Sequence, residues 1–137
     1  MKQFFVKWLK MYDFKGGKIL YEINDWMDGR DVVIHLPKKV LKLDGVSREI
    51  AFRSEKPMKD FKIVQNVYLK GELIETWEFG HVGFVIPHTM NTWETVVLAD
   101  KGHVLPAKVL SGNLVIESIF YNGETKLLTN RAKIFYD

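Results

Sequence analysis

DFKIVQNVYLKGELIETWEF, residues 60–79, reads as two β-strands folded back on one another about Lys70-Gly71. Alternation puts Phe61, Ile63, Gln65, Val67 and Leu69 on one face of the first arm and Leu73, Glu75, Trp77 and Phe79 together on the second, the period-two pattern of half-buried strands. Working outward, the same pattern recurs. FFVKWLKMYDF (4–14) reaches KILYEIND (18–25) through the glycines of KGGK, which can take the positive φ angles of a tight hairpin. DVVIHLP (31–37) is a short strand ending at Pro37, and SREIAFRS (47–54) sets Arg48, Ile50 and Phe52 against Glu49, Ala51 and Arg53. GNLVIESIFYNG (112–123) and TKLLTNRAKIFYD (125–137) form a last hairpin about Asn122-Gly123. Seven to nine short strands joined by turns predict an all-β fold, an antiparallel β-sandwich.

The 137 residues, 47% of them hydrophobic, are enough for one domain with a substantial core, spanning 1–137. There is no cysteine, which excludes a disulfide framework, a thiolate metal site and a cysteine nucleophile, and fits a reducing compartment. Lysines at 2, 7 and 10 interrupt the first apolar residues, and no apolar run approaches a membrane span, so a cytoplasmic protein that meets membranes without inserting is expected. A formal charge of +3, with acids and bases interleaved, argues against nucleic acid as a partner.

The segment from Pro87 to Asn113 is the main irregular region. GFVIPHTMNTWETVV (83–97) starts as a buried strand and breaks at Pro87. Asn91, with Glu94 three residues on, then has the spacing of a capping box, which predicts a short helix with TWETVVLA as its body. LPAKVLSGN (105–113) adds a turn, with Pro106 near its first helical position and Gly112 at its stop.

Three polar residues stand in apolar rows: Arg48, Gln65 and Glu75. A buried charge without a partner is costly, so these groups pair with each other, as in an internal Arg48–Glu75 ion pair, reach solvent, or line a cavity where a ligand's polar end meets them. The last arrangement is a usual design for a long apolar ligand held between two sheets. Nothing assembles a catalytic constellation. G-x-S-x-G and H-E-x-x-H are absent, and KGGK lacks the remaining parts of a phosphate loop. His35, His81, His88 and His103 fall in separate segments without ligand spacing, and Asp25 and Asp28 lie in a turn. No enzyme activity, cofactor or metal is expected.

PKKVLKLDGVSREIAF, VYLKGELIETWEF, GFVIPHTMNTWETV, LPAKVLSGNLVIES and KIFYD, five blocks in order, make the chain resemble the prenyl-binding protein delta family, the delta subunits of rod cGMP phosphodiesterase. The resemblance implies an immunoglobulin-like sandwich, shared with Rho GDP-dissociation inhibitors and the myristoyl-binding Unc-119 proteins, with an apolar tunnel between its sheets. It also implies a soluble carrier for the farnesyl or geranylgeranyl group of C-terminally prenylated proteins, including Ras-family GTPases and ciliary cargo. Such carriers work in the cytoplasm and at cilia, and GTP-bound Arf-like GTPases trigger release.

Carried over by position, Arg48, Gln65 and Glu75 are polar tunnel residues and Tyr136 presents its hydroxyl to the tunnel. The implied apolar lining is Leu9, Tyr21, Leu41, Ile50, Ile63, Val67, Trp77, Val97, Ala99, Ile116, Phe120, Ala132 and Ile134. Tyr21 replaces a tryptophan, Leu43 a cysteine, and Val104-Leu105 a methionine pair. Mobile parts are expected near Leu9 or Val104. Two other readings remain: an N-myristoyl carrier of the Unc-119 type, and a closed regulatory or scaffold sandwich that binds no lipid.

Overall fold

Strand pairing divides the interior into a packed half and a hollow half. The computed structural model describes residues 4–24, 31–81, 83–99 and 105–137. Strands β1 (Phe4–Asp13), β2 (Ile19–Asn24), β4 (Gly45–Ser54) and β7 (Met90–Leu98) make one sheet, in the order β2-β1-β4-β7. Strands β3 (Asp31–Leu36), β5 (Phe61–Leu69), β6 (Glu72–Gly80), β8 (Leu114–Asn122) and β9 (Thr125–Tyr136) make the other, in the order β3-β9-β8-β5-β6. The two sheets stack as an all-β, immunoglobulin-like sandwich.

The hairpin about Lys70-Gly71 is present as expected. Lys70 and Gly71 take φ values of 51° and 82°, two consecutive positive angles of the kind a two-residue hairpin turn requires. The final hairpin turns one residue later than the Asn-Gly signal suggests: Asn122 pairs with Thr125, leaving Gly123 (φ 62°) and Glu124 as the turn.

Three expectations are corrected. Met90–Leu98 is a strand, not a helix. Its run of Thr and Val side chains is suited to a pleated surface, and the backbone groups that a helix would satisfy internally pair with β4 from Gly45↔Leu98 to Arg53↔Met90. Asn91 donates its side-chain amide to the carbonyls of Ile86 and Thr89, tightening the preceding turn where a helix cap was expected. The stretch before Pro87, expected as a strand, contributes only a single bridge between Val85 and Met58. The sandwich is also not wholly antiparallel, because β3 runs parallel to β9, Asp31 opposite Arg131 through Leu36 opposite Tyr136. A helix does form at the second predicted place, α1 (Ala107–Leu110), preceded by Pro106 and followed by Gly112 at φ 75°.

One end of the interior is solid. Phe4, Phe52, Phe61 and Phe120 pack ring against ring with Val6, Ile50, Ile63, Met58 and Val85, all of them buried. A bulge in β1, where the register with β4 slips between Val6 and Trp8, lets both Val6 and Leu9 face inward although they are three residues apart. At the other end Ile34, Leu36, Val67, Leu110, Leu114, Ala132 and Ile134 form a separate apolar group.

Candidate functional site

Polar side chains stand between these two halves. Gln65 and Ser118 face one another on β5 and β8, and the Gln65 amide donates to Ser118 Oγ at 2.9 Å. From the opposite sheet, Arg48 Nη1 donates to Gln65 Oε1 at 2.5 Å, and its guanidinium lies 5.1 Å from the centre of the Phe79 ring. Arg48 Nε is buried without a hydrogen-bond partner, and burial pulls the pKa of the group down to about 10. The alternative in which Arg48 pairs with Glu75 is not what forms. Arg48 bonds to Gln65, while Glu75, opposite Val67 on the edge strand β6, is exposed.

Beyond this polar divide the sheets stay apart. An inner chamber of about 170 Å³ is bounded by Leu9, Met11 and Val46 on one sheet and by Ile34, Leu36, Ala132 and Ile134 on the other, with Gln65 and Ser118 at its polar end. An outer chamber of about 300 Å³ continues past Leu41, Val67, Glu75, Ala99, Leu105, Leu110 and Leu114. Trp77, Val97, Ile116 and Tyr136 line both and form the neck between them. Burial raises the pKa of the Tyr136 phenol, so the hydroxyl stays protonated at neutral pH. The two volumes together fall within the roughly 300–1,000 Å³ of small-molecule sites. The cavity opens between two edge strands, β6 and β7, where Trp77, Glu78 and Phe79 face Val96, Val97 and Leu98 across a cleft.

These surroundings bring most of the expected positions together. Leu9, Gln65, Ala132 and Ile134 line the inner chamber, Leu41, Val67, Glu75 and Ala99 the outer one, and Trp77, Val97, Ile116 and Tyr136 both. Ile50, Ile63 and Phe120 instead belong to the solid end, on the far side of the polar divide. Tyr21 packs against the apolar group around the chambers from β2 without lining either. Met11, Ile34, Leu36, Val40, Val46 and Ser118 line the inner chamber but were not expected there. Ile34 and Leu36 alternate in phase along DVVIHLP, a signal that could have found them once β3 was placed beside β9. Asp25, Asp28, His103 and the loop at Val104 lie outside the described residues.

Among the described residues no cluster of His, Asp and Glu could hold a metal ion, and no helix is long and apolar enough to cross a membrane. The sequence profile of the family described as GMP-PDE, delta subunit, matches residues 1–136. This chain belongs to the GMP-PDE delta subunit family. In this delta-subunit chain, then, the hollow half of the sandwich and its two-chamber cavity occupy the space between sheets where the resemblance implies a prenyl tunnel.

Proposed function

We propose that the protein is a carrier that holds the C-terminal farnesyl or geranylgeranyl group of prenylated proteins, small GTPases among them, with the lipid threaded through the neck at Trp77, Val97, Ile116 and Tyr136. The observation that carries this reading is the apolar, two-chambered cavity open at the β6–β7 edge, in a chain of the GMP-PDE delta subunit family. An isoprenoid gains ~0.8 kcal/mol per buried methylene-sized group, on the order of 10 kcal/mol gross for fifteen carbons. A bilayer offers similar burial, so extraction is nearly balanced. Contacts to the cargo's last residues near Glu75 then decide which proteins are carried. Gln65, Ser118 and Arg48 close the apolar path and limit how deep the chain enters.

Release follows from the site's position at an edge. A GTP-loaded Arf-like GTPase that adds a strand to β6 or β7 would press on the cleft through which the lipid passes, and ~1–3 kcal/mol of coupling is enough to eject it. Fluorescence polarisation with a labelled peptide ending in farnesyl-cysteine methyl ester tests the reading, beside unlipidated and N-myristoylated controls. Saturable binding of the farnesyl peptide alone is expected. Preference for the myristoyl peptide would reassign the lipid, and no lipid-dependent binding would overturn the carrier.

A further inference from the structure

The polar divide at the inner end of the cavity has a direction. Arginine carries only hydrogen-bond donors, so the bond from Arg48 Nη1 fixes the Gln65 amide with Oε1 towards Arg48 and Nε2 away from it. Gln65 Nε2 then donates to Ser118 Oγ at 2.9 Å, which makes that hydroxyl an acceptor and turns its own proton elsewhere. Among the described residues no acceptor takes this proton, and none takes the second N–H of the Gln65 amide. Gln65 and Ser118 both line the inner chamber, whose other walls are apolar side chains and Tyr136. The chamber's polar end thus presents donors with no acceptors to match them.

Charge points the same way. The side chains that touch the Arg48 guanidinium are the neutral Gln65 and Phe79, and Glu75 is exposed on β6. A cation held inside a fold without an anion is costly, and a ligand that brings one relieves the cost. Arg48 Nε is closed off within the protein and is no contact for such a ligand. The charge acts through the Gln65 amide and the Ser118 hydroxyl, which do face the chamber.

We propose that the cavity takes a second class of ligand, an ionised long-chain carboxylic acid, held head inward. The carboxylate accepts from the Ser118 hydroxyl and the Gln65 amide, with the Arg48 charge behind them. The alkyl tail runs out through the neck at Trp77 and Ile116 into the outer chamber. A prenyl group attached to a protein lies the other way round, with its polar end at the β6–β7 cleft, so the acid and a prenylated cargo exclude one another. The inference goes beyond the carrier reading and does not rest on it, since it uses only the polarity of the chamber's inner end.

Tryptophan fluorescence tests it, because Trp77 stands in the neck. Dodecanoate, its methyl ester and dodecylamine share one tail and differ only at the head. Each is titrated into the wild-type protein, into Ser118→Ala and into an Arg48→Met/Gln65→Leu variant whose urea midpoint reports its fold. The wild type is expected to bind dodecanoate roughly tenfold or more tightly than the ester or the amine, the margin of hydrogen bonds to a charged group. Ser118→Ala should narrow that advantage at least about threefold, and the double variant should abolish it. Equal wild-type affinities for the three compounds would overturn the proposal. So would an acid preference that survives in full in both variants, because the carboxylate would then sit outside, at the cleft. The labelled farnesyl peptide, titrated alongside, keeps the two readings apart. If it binds while dodecanoate shows no preference, the carrier stands without this site, and if only dodecanoate binds, this site stands without the carrier.

Discussion

Arg48 is the most consequential single residue in the interior. Its charge is held among apolar side chains by one hydrogen bond from Nη1 to Gln65, with Nε unpaired. Removing that partner leaves an uncompensated buried guanidinium, so Gln65→Leu should cost roughly 3 kcal/mol. Arg48→Met in the same background should restore much of the loss, because the divide then becomes apolar on both sides. Urea midpoints of the two variants check this, and equal losses in both would mean that Arg48 is not what makes Gln65 important. The unusual residues at this scale were legible in the sequence, since Arg48, Gln65 and Glu75 stand out in apolar rows. Their partners were not, because alternation says which face a side chain takes but not how far along the opposing sheet it meets another.

At the scale of elements, legibility followed local signals. The hairpins about Gly17, Gly71 and Gly123 were visible because a two-to-five-residue turn between alternating runs needs residues that tolerate positive φ, and each of these glycines has it. β7 was misread because Asn91 and Glu94 meet the local rule for a helix start, whereas the decisive interaction is nonlocal: the open edge of β4 takes the segment as its neighbour. The parallel pairing of β3 with β9 was hidden for the same reason. The β4–β7 contact is also tight beside the mouth, since a Cβ on Gly45 would lie 2.7 Å from the Val97 carbonyl oxygen and 3.2 Å from Leu98 Cα. Gly45→Ala should therefore push β7 outward, at a cost of ~1–3 kcal/mol. Faster hydrogen exchange at the amide of Ala99, which bonds to the Asp44 carbonyl at 2.8 Å, is the expected signature. Unchanged exchange and stability would show that the strands can part there without cost.

Across the whole molecule, the carrier reading assigns stability and binding to different ends of one sandwich. The aromatic end around Phe52 and Phe61 supplies a close-packed core, while the other end keeps space that a purely structural protein would fill. Enlarging a side chain in the neck should then separate the two properties. Ile116→Trp, which adds volume where both chambers meet, is expected to weaken farnesyl-peptide binding by at least about tenfold and to leave the denaturant midpoint unchanged or higher. An unaffected affinity would place the lipid elsewhere, and a collapse of stability would mean that the neck is already full. Polar residues in apolar rows allowed a cavity as one of several readings, but its two chambers depend on which residues of the paired strands and of α1 come to face one another.

The pairing of β3 with β9 also bears on how the chain is made. Among the described residues, 31–36 pair only with 131–136, and β9 is an inner strand, flanked by β3 and β8. On the ribosome β3 must wait until about a hundred further residues have been made before its hydrogen bonds can form. The hollow end, built largely from β3, β8 and β9, therefore assembles last, and until then its apolar faces are exposed to whatever chaperone meets the nascent chain.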